Sequence, residues 1–167
     1  MCIRDSVCLF PDLQAALDFD AYVYDKMLKI PNKEKIFGEQ LLYNDMDEII
    51  GKEPNLLLCN TSIGFDEVYA LTEERGGIMI PAHVDKTTNS LIANLGFIPP
   101  DSQFTCAEIK NLSKKEELLR QHVYLNQCRI ISNSDAHYLE HINEPEHRIE
   151  VSGTSASEII KALKIKA

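Results

Sequence analysis

Short apolar runs alternate along this chain with stretches of helical period, and few folds accept that order. Residues 7–10, 77–82, 104–109, 129–132 and a run near 148–151 have strand length. Asp12 can cap a helix whose apolar positions are Leu13, Ala16, Leu17, Val23 and Met27. Another helix is expected over 64–75, with Gly64 as its cap and Glu67 three residues on. Further helices are expected near 88–95, from the capping-box pattern that opens at Ser113, and after Ser155. Residues 40–43 and 48–50, joined by Asn44-Asp45-Met46-Asp47, read as a small β-hairpin insertion. Strands alternating with helices predict an α/β chain with a parallel sheet or barrel. No internal repeat, low-complexity stretch or linker divides it.

Composition bounds the function classes. A chain of 167 residues with 44% hydrophobic and 26% charged residues is expected to form one globular domain with a real core. The net charge of −9 argues against a general nucleic-acid-binding or membrane surface. The apolar runs are too short to span a bilayer, and no long apolar segment follows Arg4 to make a signal peptide. The cysteines at 2, 8, 59, 106 and 128 are odd in number and contain no C-x-x-C pair. That pattern suits reduced thiols in the cytoplasm and offers no zinc finger, with Cys8 and Cys106 as small core residues.

Candidate chemistry lies at two strand ends. In Arg129-Ile130-Ile131-Ser132-Asn133-Ser134-Asp135-Ala136-His137 an apolar strand runs into a carboxylate and an imidazole two positions apart. If extended geometry persists, Asp135 and His137 share a face at the C-terminal end of the strand, where parallel α/β folds keep their chemistry. Imidazole with carboxylate suits Zn, Mn or Fe. Alone, the segment reads first as an Asx turn with a surface histidine. The second segment, Gly76-Gly77-Ile78-Met79-Ile80-Pro81-Ala82-His83, has the same design. Its glycines end a helix, its apolar run makes a buried strand, and Pro81 marks where pairing stops. Two strand-end histidines and an aspartate favour a metal site over two unrelated turns.

The run from Leu56 to Asp101, with GGIMIPAHVDK and SLIANLGFIPPD, and the later IISNSDAHYLEHI, resemble the PHP (polymerase and histidinol phosphatase) family. The nearest likeness is to its stand-alone bacterial members, over roughly residues 7–165. The resemblance implies a distorted (β/α)7 barrel that holds divalent metals (Zn, Mn, Fe or Mg) and hydrolyses phosphoesters. It implies His83, Asp135 and His137 as metal ligands, with Asp135 and His137 also serving catalysis. The family's His-x-His strand has no counterpart here, and His83 is the first histidine of the chain. The chain is therefore expected to be an incomplete barrel. Residues 1–6 would be a non-native start, and 7–167 roughly the C-terminal two-thirds of one PHP domain, with weak metal binding and little hydrolysis by itself.

A metal-activated water attacking phosphorus is the chemistry this implies. The expected substrate is a small phosphorylated molecule in the cytoplasm, with nucleic acid entering only as a nucleotide or oligonucleotide substrate. Lys86, Asp85 and Asn133 are candidate substrate contacts, although Lys86 reads first as a solvated surface charge. Glu108 and Ser134 are candidates to hydrogen-bond the ligands from behind, with Ser132 beside them. His122 and His147 read as surface residues. Two other classes are weighed: a non-catalytic PHP-like binding module or inert fragment, and a zinc protease. The protease rests on the H-x-x-E-H pattern of His137-Tyr138-Leu139-Glu140-His141, which needs a helix to put both imidazoles on one face.

Overall fold

A computed structural model describes residues 6–145 and 147–165. The strands are β1 (Ser6–Leu9), β2 (Leu41–Tyr43), β3 (Ile49–Lys52), β4 (Ile78–Pro81), β5 (Cys106–Glu108) and β6 (Arg129–Ile131). The α-helices are α1 (Leu13–Lys26), α2 (Glu34–Phe37), α3 (Phe65–Glu74), α4 (Leu91–Leu95), α5 (Lys115–Gln121) and α6 (Ala156–Lys164). Residues 1–5 lie outside the described residues, while Ser6, expected to belong to a foreign start, opens β1 opposite Pro81.

Side-chain alternation builds two cores on either side of the strands. Cys8, Met79, Ala107 and Ile130 point to one side, where α3, α4 and α5 cover them with Val68, Leu91 and Leu118. Phe104 is the largest fully buried side chain of this core, and its ring packs 4.8 Å from Tyr124 and 6.1 Å from Phe65. Leu9, Ile78, Ile80, Cys106 and Ile131 point to the other side, against Ile160 and Leu163 of α6. β4 lies between β1 and β5, and β5 pairs in parallel with β6. The Val84 N–H donates to the Glu108 carbonyl at 2.8 Å, so the C-terminal ends of β4 and β5 meet at one rim.

The expected parallel order needs one correction. β1 runs antiparallel to β4, with Ser6 opposite Pro81 and Leu9 opposite Ile78. A period-two pattern tells which face a residue takes and says nothing of strand direction. The strand expected near 148–151 is also absent. Ile149 and Val151 alternate with Arg148 and Glu150 but lie on an irregular segment, and among the described residues no strand pairs with it. The short helix begins at Leu91 rather than near 88, because the Ser90 hydroxyl accepts from the Ala93 N–H at 3.0 Å and fixes the cap there.

Local signals account for the remaining boundaries. Asp12 caps α1 by accepting from the Ala15 N–H at 2.9 Å, yet no residue of α1 is buried and Leu13 is 74% exposed. The helix α3 ends in paired bonds from the Gly76 N–H to the Glu73 carbonyl and from the Gly77 N–H to the Thr72 carbonyl, both 2.9 Å. Gly76 takes φ +70° to make that turn. At Gly77 a Cβ would stand 2.5 Å from the Leu9 carbonyl oxygen, so only glycine lets β1 approach. β2 and β3 form an antiparallel hairpin in which the Asn44 side chain accepts from the Met46 and Glu48 N–H groups, each at 2.9 Å. Among the described residues no helix is long and apolar enough to cross a membrane.

Candidate functional site

The rim at the C-terminal ends of β4, β5 and β6 borders an open cavity of about 340 Å³ lined by Ser6, Val7, Ala82, His83, Glu108, Asn133 and Asp135. His83 follows Pro81 by two residues and is buried, at 6% exposure. Its backbone is left-handed, φ +29°, and so is that of Asp135, φ +48°. Non-glycine residues held in this region store strain, and such residues concentrate where a side chain has been aimed for a purpose. The two residues come from different strand ends and face the same space.

Asp135 is the electrostatic focus. The Lys86 ammonium donates to its carboxylate, and the Lys110 Nζ stands 3.6 Å from the same oxygen. The bond from Lys86 holds the Asp135 carboxyl below the usual carboxylate range, with help from the charges of Lys86, His83 and Lys110. Lys86 is set by a turn in which its own N–H donates to the His83 carbonyl at 2.9 Å. The Ser90 hydroxyl donates to the Lys86 carbonyl at 2.7 Å, tying this turn to the cap of α4.

Glu108 is the rim's buried acid. It is 4% exposed, and burial pushes its carboxyl up despite a hydrogen bond from the Asn133 side chain at 3.4 Å. Asp85 is spent on structure. Its two carboxylate oxygens accept from the Lys110 and Asn111 N–H groups at 2.8 and 2.9 Å, latching the loop after β4 to the loop after β5. That latch brings Lys110 to Asp135. Ser132 donates to the Lys110 carbonyl at 3.3 Å, and Ser134 is half-buried in the loop before Asp135.

Of the expected ligands, His83 and Asp135 share the cavity. His137 stands at its margin, with Nε2 3.9 Å from an Asp135 oxygen and 77% of its side chain exposed. The left-handed turn at Asp135 breaks the extended path that would have put both side chains on one face. Among the described residues, no three of histidine, cysteine, aspartate and glutamate are arranged to hold a metal ion. The donor chemistry nonetheless suits one: an imidazole and two carboxylates border one small cavity. Comparison of the chain with family models, with curated proteins and with solved structures finds no match.

The other histidines stand apart from this rim. Residues 139–141 form a single 3-10 turn and not the α-helix an H-x-x-E-H site requires, and the His141 ring packs edge-on against Tyr138 at 5.4 Å. His122 terminates α5 and is half-buried, where an exposed position was expected. His147 is exposed but borders a second, larger cavity. Lys110 was not anticipated as a site residue. Its position just past β5, two residues after Glu108, was the available signal.

Proposed function

We propose that this rim belongs to a metal-dependent phosphoesterase, a hydrolase site on a distorted barrel of the PHP type. The observation that carries the reading is that His83 and Asp135 line one cavity, each on a left-handed backbone. His83, Asp135 and, after rotation of its exposed side chain, His137 are the residues that would hold a divalent ion. Bound there, such an ion supplies a water of lowered pKa and a positive charge beside the phosphoryl oxygens.

The chain's own residues do the rest. Lys86 and Lys110 bring cationic groups to the mouth and can draw in and orient a phosphoester dianion, a duty of point charges rather than of planar forks. Glu108, kept toward its neutral form by burial, can hold a proton for a departing alkoxide. Asp85 keeps Lys110 in position through its backbone.

A non-catalytic reading has one observation in its favour. Lys86 and Asp135 already satisfy one another, as a purely structural ion pair does. Hydrolysis of 4-nitrophenyl phosphate with and without Mn²⁺ or Zn²⁺ separates the two. The enzymatic reading expects slow, metal-dependent turnover that Asp135→Asn removes. Turnover that is absent with every metal, or indifferent to Asp135→Asn, leaves the structural ion pair as the better account.

A further inference from the structure

A second cavity, of about 620 Å³, adjoins the rim, and Glu108 and Asn133 line both. Its size falls in the range of small-molecule sites, about 300–1,000 Å³. Leu9, Ile80, Ile131 and Leu163 make its apolar wall. Leu9 pairs with Ile78 at the end of β4 opposite the rim, so this wall runs from the rim down the strands toward α6. The same cavity is bordered by Lys115, His147 and Arg148. In a chain of net charge −9, the cations Lys115 and Arg148 beside an apolar hollow mark a preference for an anionic ligand with an apolar body.

We infer that the site takes phosphoesters of an apolar alcohol, with the phosphoryl group at the rim by His83 and Asp135 and the apolar group in the larger cavity. This rests on the phosphoesterase reading and adds the class of substrate to it. Lys115 and Arg148 add attraction for the anionic head. Glu108, between the two cavities, stands where the ester oxygen joins head to tail. Hydrolysis there adds water across the P–O bond and releases inorganic phosphate and the apolar alcohol.

The test is calorimetric titration of the chain with butyl, hexyl and octyl phosphate, each below its micelle concentration, in buffer with EDTA. Inorganic phosphate and octyltrimethylammonium are titrated alongside. Each added methylene should tighten binding about threefold to fourfold if it leaves water for the cavity. Octyltrimethylammonium should bind at least about tenfold more weakly than octyl phosphate, and Lys115→Glu with Arg148→Glu should erase that difference. Ile149→Lys, on the exposed lip of the cavity, should flatten the chain-length series. Equal affinity along the series, or equal binding of the cationic and anionic octyl compounds, overturns the inference. So does a stable dimer by size exclusion with light scattering that binds no alkyl phosphate, since a second copy then fills the hollow. Binding in EDTA needs neither metal nor turnover. Alkyl phosphate binding without any hydrolysis therefore supports the cavity and overturns the enzymatic reading alone.

Discussion

The Lys86 ammonium and the Asp135 carboxylate meet across the rim that His83 also lines. The pair joins the loop after β4 to the loop after β6, and it occupies the carboxylate that a metal ion would use. Lysine therefore competes with metal for Asp135. Lys86→Ala should tighten Mn²⁺ binding severalfold while weakening capture of inorganic phosphate, both read by titration calorimetry. Tighter metal binding is not expected if the pair is only a structural tie.

The same pair makes a pH prediction. Because Asp135 is held below its unfolded pKa of about 3.9, its contribution to stability is fully present above that value. It is lost as pH falls through the lower folded value. Denaturant melts at a series of acid pH values should show this loss in the natural chain. In Lys86→Ala it should be much reduced, and an unchanged slope would mean that another group sets the folded pKa.

Glu108 should behave in the opposite sense. Its folded pKa lies above the unfolded value of about 4.3, so the folded state holds more protons as pH rises from there. Stability is then greatest below the unfolded pKa and falls as pH climbs through the raised one. Glu108→Gln keeps an acceptor for the Asn133 side chain and removes the titration. It should flatten this part of the profile and match or exceed the natural stability at neutral pH. If the site uses the proton of Glu108, turnover should fall at the same time.

The strand-end motifs were legible because each depends on local sequence. Gly76-Gly77 ends α3, Pro81 ends β4, and His83 follows two residues later. Asp135 was legible for the same reason. The orientation of His137 was not, because it turns on one left-handed residue, Asp135, whose carboxylate pairs with Lys86 and Lys110 from other loops. Strand direction and pairing are likewise non-local. Residues 6–9 could have entered a sheet either way with the same faces buried, and 148–151 carries strand alternation with no ladder to join. Asp85 looked like a substrate contact from its place after His83. Its backbone latch to Lys110 and Asn111 depends on how two loops pack.

Thiol chemistry tests the packing of the strands. Burial pushes the Cys106 thiol up to about 12 and raises that of Cys8, while Cys59 is half-exposed on a loop. Timed alkylation followed by mass spectrometry should label Cys59 well before Cys8, and Cys106 only on unfolding. Early labelling of Cys106 would show that α6 does not stay on the strands.

Phe104 anchors the core that holds β5 and therefore Glu108 in place. Phe104→Ala removes a fully buried ring between Phe65 and Tyr124 and should cost about 3–5 kcal/mol. Ser90→Ala loses both a helix cap and the tie to the Lys86 carbonyl and should cost about 1–2 kcal/mol. Chemical denaturation gives both values. The second change should also loosen the Lys86–Asp135 pair, seen as a rise in the Asp135 pKa by NMR titration.

Titration of the chain with Mn²⁺, followed by the loss of the free-ion electron paramagnetic resonance signal, bears most directly on whether the rim is a metal site. The natural chain should bind about one ion weakly, as expected of two or three protein ligands against a competing lysine. Asp135→Asn and His83→Ala should each abolish binding while leaving the thermal transition in place. Undiminished binding in both variants, or none in the natural chain and in Lys86→Ala alike, would contradict the metal-site account.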